Sequence, residues 1–147
     1  MQAMDIRTLT PRYSVSPQIA LCDPAAVVAA GFTTLICNRP DSEVPAALQS
    51  DRMAEAAEAA GLTFHFLPLT HQTMTAENVG RQKQLIDDSP GAVLAYCASG
   101  TRCSIIWALG QAGEMPTAEI LEATTRAGYA LHQLAPQLDH IARQKST

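Results

Sequence analysis

Lysine is almost missing from this chain: of 147 residues only Lys83 and Lys145 are lysines, there is no run of basic residues, and the formal net charge is -4. A surface that binds nucleic acid needs clustered cations to replace the counterions of phosphate, so that class of partner is excluded. Long apolar runs are also absent. None approaches the roughly 20 residues that cross a bilayer, and the first residues have neither the basic flank nor the apolar centre of a signal peptide. The expectation is a soluble protein, made in the cytoplasm, without a membrane partner. Four cysteines occur, Cys22, Cys37, Cys97 and Cys103, none in C-x-x-C spacing. Neither a disulfide scaffold nor a zinc site is expected, and no metal or cofactor is called for. Repeats and low-complexity linkers are lacking too. With 47% hydrophobic and 16% charged residues, residues 1–147 read as one globular domain with a real core.

The segments that are present alternate between two periods. Phe32 to Cys37, Leu62 to Leu69 and Ala92 to Tyr96 are short β-branched or apolar runs bounded by turn residues, as expected of covered parallel strands. Tyr13 to Leu21 supplies one or two edge strands, and Met1 to Thr10 reads as a frayed start or an entry segment. Between the strands lie helical stretches: Ala25 to Ala30 behind Asp23-Pro24, Pro45 to Ala60 stopped by Gly61, and Glu77 to Asp88 after Thr75. Two more follow, from Pro116-Thr117 to about Ala127 and from about Leu131 to Gln144, where Pro136 kinks or restarts the last. The pattern predicts an α/β fold with a mainly parallel central sheet of about four to five strands and helices on both faces.

One stretch carries chemistry. Gly91 to Gly110 reads as a buried strand, a short loop and a buried helix. The loop, Cys97-Ala98-Ser99-Gly100-Thr101-Arg102, is small enough for its amides to turn inward around an anion. The helix behind it directs the positive end of its dipole to the same spot, which stabilises a thiolate at Cys97. Arg102 adds a fixed charge and a bidentate fork. An arginine at a helix start opposes the dipole unless an anion offsets it. Cys97 and Arg102 are therefore the catalytic candidates, with Ala98, Ser99, Gly100, Thr101 and Arg102 as the anion-binding loop. Asn38, Arg39 and Asp41 follow a strand and fall on the same sheet edge as Cys97; the plainer reading of them is a solvated turn. The plainer reading of Cys103 is helix packing, and of Cys22 and Cys37 small buried hydrophobes.

The strand–Cys–loop–Arg–helix unit resembles the active-site loop of the protein tyrosine and dual-specificity phosphatases, and also that of the rhodanese sulfurtransferases. With Val15-Ser16-Pro17-Gln18 and Asn38-Arg39-Pro40-Asp41, most of the chain resembles the phosphatase-like domain of bacterial beta-lactamase-hydrolase-like proteins. The resemblance implies a dual-specificity-phosphatase-like fold and phosphatase-like hydrolysis. The sequence departs from the phosphatase pattern in four places. Four residues, not five, separate Cys97 from Arg102. Tyr96 stands where histidine is usual. Cys103 stands where a serine or threonine usually follows the arginine, with Ser104 one further on. Finally, the region that usually carries a general acid offers His65, Thr70 and His71 but no Asp or Glu before Glu77.

Two mechanisms follow. In the first, Cys97 attacks a phosphoryl group held by Arg102 and loop amides, and the leaving group takes a proton from Asp41 or, second, His71. In the second, Cys97 carries a persulfide taken from an anionic sulfane-sulfur donor, no proton donor is needed, and Cys103 is a candidate resolving thiol. A third reading is an anion-binding or redox-sensing module without turnover.

Overall fold

The computed structural model describes residues 4–146; the first three residues of the Met1 to Thr10 segment lie outside them. Five strands form one sheet in the order β1-β2-β5-β3-β4. They are β1 (Arg7–Thr10), β2 (Tyr13–Ser16), β3 (Phe32–Cys37), β4 (Thr63–Phe66) and β5 (Ala92–Tyr96). All neighbouring pairs are parallel except β1 and β2, which form an antiparallel pair. The helices are α1 (Pro24–Ala29), α2 (Ser50–Ala60), α3 (Ala76–Asp88), α4 (Thr101–Gln111), α5 (Thr117–Arg126) and α6 (Ala135–Lys145).

The period of two along β5 divides the core. Val93, Ala95 and Cys97 face a cluster built with Cys103, Trp107, Ile120 and Leu138 on the side of α3 to α6. Leu94 and Tyr96 face the opposite cluster, with Val27, Met53 and Ala57 of α1 and α2. Both faces of the sheet are thus covered, as its apolar strands require. Helix α4 is apolar around most of its circumference, with eight of its residues buried, because it lies between the sheet and α3, α5 and α6.

The structure revises three expectations. The entry segment is an edge strand, β1. The Tyr13 to Leu21 segment supplies β2 (Tyr13–Ser16), which lies inside the sheet and is buried at every position; its serines do not face water, since Ser14 Oγ bonds Thr8 Oγ1 and Ser16 Oγ donates to Pro17 O. The Pro45 to Ala60 helix is broken at Gln49, which is extended (ψ 165°), into a 3-10 turn over Ala46–Leu48 and α2. The last helix restarts, one of the two outcomes expected at Pro136: a 3-10 turn over His132–Leu134 precedes α6, and Pro136 occupies the first turn of α6, where its missing N–H costs nothing.

Candidate active site

Cys97 follows the last residue of β5 at the carboxyl end of the parallel strands. Its N–H points to Ser16 O at 3.4 Å, and Gln18 N–H reaches Ala98 O at 3.3 Å, so the Ser16-Pro17-Gln18 segment backs the loop. Gly100 turns the chain with φ 93°, a conformation that suits glycine, and it is the N-cap of α4. A side chain at this position would also collide with the Tyr129 hydroxyl, which donates to Ser99 O at 2.9 Å. The loop is thereby folded over Cys97, whose exposure is 0%; Ala98 and Ser99 form its exposed rim.

The Cys97 thiol is acidified to a pKa of about 5. The Cys103 thiol, donating to its sulfur, is the largest cause; burial opposes it, and the N–H groups of Cys103, Gly100 and Ser99 add to it. The Gly100 N–H lies 3.1 Å from the sulfur. Burial and the neighbouring thiolate push Cys103 the other way, well above an ordinary thiol, so Cys103 stays protonated as the donor. Sulfur is held as an anion by a neutral cage of N–H and S–H groups. Ser104 does not join the cage: its hydroxyl donates to Gly100 O at 2.8 Å.

Arg102, the second residue of α4, is buried, and its counter-anion is internal. Nη1 and Nη2 each donate to a Glu43 carboxylate oxygen at 2.8 Å, and Nη1 also donates to Leu69 O at 2.9 Å. Glu43 ends a 3-10 turn over Asp41–Glu43. It also accepts from Arg39 Nε at 3.2 Å, and Arg39 Nη1 donates to Gln18 Oε1 at 3.3 Å. The Arg102 hydrogen bond, followed by that of Arg39, holds the Glu43 carboxyl below its usual range against the effect of burial. Of the five N–H groups of Arg102, Nε–H and one on Nη2 have no partner among the described residues. These two lie on one edge of the guanidinium and match two oxygens of a single anion.

The other candidates are placed as follows. Asn38 is fully buried and pairs with Gln82 of α3. Arg39 reaches the site through Glu43. Asp41 does lie in the loop after β3, but both its oxygens are engaged: Ser50 N–H donates to Oδ1 at 2.7 Å and Ser50 Oγ to Oδ2 at 2.9 Å. It caps α2. His71 is exposed and lines a cleft with Gln72, Met74, Ile105 and Leu109. Thr101 hydrogen-bonds to Ser99 within the rim at 2.9 Å. Tyr96 turns to the other face of the sheet, where burial pushes its hydroxyl pKa up. Sequence reasoning missed Glu43, Gln82 and Tyr129. The Arg39–Glu43 spacing of four residues was the one local signal for Glu43, and nothing in the sequence links it to Arg102, 59 residues away. Among the described residues no cluster suits a metal ion.

Comparison with known proteins places this geometry. Residues 5–114 match the family model for the beta-lactamase hydrolase-like protein, phosphatase-like domain. A beta-lactamase hydrolase-like protein of Agrobacterium fabrum is 31% identical over 104 residues, which is 71% of this chain and 24% of that protein. This chain spans about a quarter to a third of the length of the curated relatives it matches. The crystal structure of a candidate phosphatase from Neisseria meningitidis superposes with a TM-score of 0.82 at 35% identity, covering 95% of this chain and 99% of that one. P. aeruginosa TpbA, solved in complex with pTyr, has the same fold at 15% identity, with a TM-score of 0.64 and coverage of 99% and 95%.

Proposed function

The chain belongs to the family of phosphatase-like domains of beta-lactamase hydrolase-like proteins, and from that premise we propose that it is a cysteine-dependent hydrolase of small phosphate monoesters. The observation that carries this reading is the pairing of an acidified Cys97 with the two unspent N–H groups of Arg102. Cys97 Sγ attacks phosphorus, two non-bridging oxygens bind Nε–H and Nη2–H of Arg102, and the P–O bond to the leaving group breaks. Water then attacks the phosphocysteine and frees phosphate and the thiolate. Glu43 does not compete for the anion. It holds the opposite edge of the guanidinium and presents the free edge. TpbA binds pTyr, and an aryl ester suits this chain for a further reason. Asp41, the acidic candidate for protonating the leaving group, is held by Ser50, and an aryl oxide leaves without a strong acid. A missing acid costs about 100-fold or more on poor leaving groups.

Specific observations favour a second reading, sulfur transfer. The Cys97-to-Arg102 loop is one residue short of the phosphatase length, and the sulfur is fully buried beneath a small rim, which favours a compact guest. Cys97 thiolate attacks the outer sulfur of thiosulfate, the S–S bond breaks, and sulfite leaves with the electron pair, needing no proton. The Cys103 S–H that stabilises the thiolate then stabilises the persulfide anion equally well, and Cys103 is the nearest candidate to receive that sulfur.

A paired assay on one preparation tests both readings, with Cys97→Ser as control. One arm follows hydrolysis of an aryl phosphate and the other thiosulfate-to-cyanide sulfur transfer. Loss of phosphate hydrolysis in Cys97→Ser is the expected result. Cys97-dependence confined to the sulfur arm transfers the assignment to the second reading, and activity unchanged by the substitution in both arms removes Cys97 as nucleophile.

A further inference from the structure

Behind the site runs a closed ring of buried polar groups that begins and ends on α4. Arg102 Nη1 donates to Leu69 O at 2.9 Å. Leu69 N–H donates to Asn38 O at 2.9 Å. The Asn38 and Gln82 side chains exchange two hydrogen bonds of 3.0 Å each, and the remaining N–H of Asn38 goes to Leu67 O at 2.9 Å. The remaining N–H of Gln82 reaches the Tyr13 hydroxyl at 3.3 Å, and that hydroxyl donates to Cys103 O at 2.8 Å. Cys103 follows Arg102 in the chain. Asn38 and Gln82 have 0% exposure and Tyr13 1%, so any bond lost here is not replaced by water.

From this ring we propose that Gln82 is a positioning residue for Arg102, a role that rests on Arg102 being the anion-binding group of the proposed function. Gln82 comes from α3, remote from the loop, and is the one side chain that joins both arms of the ring. One arm, through Asn38, fixes the Leu67–Leu69 strap whose carbonyl fixes one nitrogen of the guanidinium. The other arm, through Tyr13, fixes the first turn of α4 from which Arg102 and the Cys103 thiol project. The reciprocal pair leaves one N–H on each amide, and these two N–H groups continue the ring, from Asn38 to Leu67 O in the strap that holds Arg102 and from Gln82 to the Tyr13 hydroxyl bonded to Cys103 O. Gln82 thus determines which edge of Arg102 faces Cys97, without touching substrate.

The test uses alkylation of Cys97 in the full chain, read at the Cys97 peptide by mass spectrometry. Iodoacetate carries a carboxylate that binds the free edge of Arg102, whereas iodoacetamide carries no charge. The ratio of their rates reports the orientation of Arg102 and cancels the thiolate fraction. Gln82→Met, close in size and without the amide, should lower the ratio by about fivefold. Gln82→Glu should show a low ratio at neutral pH and recover it as the pH is lowered and the buried carboxyl becomes neutral, because a neutral carboxyl restores both bonds to Asn38. Val27→Ala, a buried substitution in α1 on the opposite face of the sheet, serves as the control for loss of stability alone. A wild-type ratio in Gln82→Met, or a drop no larger than that in Val27→Ala, overturns the proposal. If Gln82→Met does not fold, a Gln82→Glu ratio that does not change with pH overturns it equally. Arg102→Ala separates the two failures. A ratio unchanged in Arg102→Ala removes the anion role of Arg102 and this proposal with it. A ratio that falls in Arg102→Ala but not in the Gln82 variants removes only the positioning role.

Discussion

Cys97 is an anion without a cation as its main support. The Cys103 S–H and the N–H groups of Cys103, Gly100 and Ser99 lower its pKa to about 5 against the cost of burial, while the charge of Arg102 is largely returned to Glu43. The first consequence is a pH dependence. Cys103→Ala removes the leading donor and should move the midpoint of Cys97 alkylation upward by about one unit. A midpoint that stays at about 5 would assign the acidity to the backbone alone. Linkage fixes the sign of the companion effect. A thiol whose folded pKa lies below its unfolded value contributes stability above the unfolded pKa and loses it as pH falls through the folded one. The difference in Tm between wild type and Cys97→Ser should therefore grow as pH is raised from about 5, the folded pKa, towards 9.0, the ordinary value. Cys97 and Arg102 were legible in the sequence because the signal is local: a strand, a short Gly-containing loop and a helix in contiguous chain. Glu43 and Gln82 were not, since a carboxylate on an exposed turn and an amide on an amphipathic helix look the same whether or not another segment brings them a partner.

At the level of elements, the loop after β3 divides its work. Glu43 turns inward to Arg102 and Arg39, whereas Asp41 turns to the start of α2. Placement at the carboxyl end of a parallel strand was enough to bring the segment to the site, but not to say which of its carboxylates faces the loop. Asp41→Ala should destabilise the protein by about 1 kcal/mol through loss of the cap and leave the alkylation profile of Cys97 unchanged. Thermal melts and the same mass-spectrometric assay check the two halves. An aryl phosphatase activity that falls about 100-fold in Asp41→Asn would instead show that Asp41 leaves Ser50 during turnover and serves as the acid. The break at Gln49 went unread because it is a tertiary override, whereas the restart of the last helix was legible in Pro136. The residues flanking Gln49 have good helical pattern, and the chain bends where the packing of α2 demands it.

At the scale of the whole molecule, the family match ends at residue 114, but the core does not. Ile120, Leu121 and Ala123 of α5, Tyr129 and Leu131 of the segment after it, and Leu138 of α6 belong to the same cluster as Cys97, Cys103 and Trp107. Tyr129 also closes the loop over Cys97. A chain ending after Glu114 should lack a cooperative thermal transition and lose preferential alkylation of Cys97, since it would expose the outer side of α4. Circular dichroism melts would show this, and a cooperative transition in the short chain would place the stabilising core in residues 5–114 alone.

The sequence by itself determined most of the order and type of the elements, the mainly parallel sheet and the grouping of the candidate residues Cys97, Gly100 and Arg102 in one loop. Hydrophobic period and turn residues act over a few neighbours, and a thiol, a glycine and an arginine within six residues stay close wherever the chain goes. The tertiary structure alone decided the state of that site: which edge of Arg102 is free, which anion balances its charge, and which donors keep Cys97 ionised. Those answers depend on Glu43 and Tyr129, which contact Arg102 and Ser99, and on Gln82 and Tyr13 behind them, all brought together only when the sheet order β1-β2-β5-β3-β4 folds distant segments onto one another. Hydrogen bonds and ion pairs act over a few ångströms of space, and sequence separation carries no information about them.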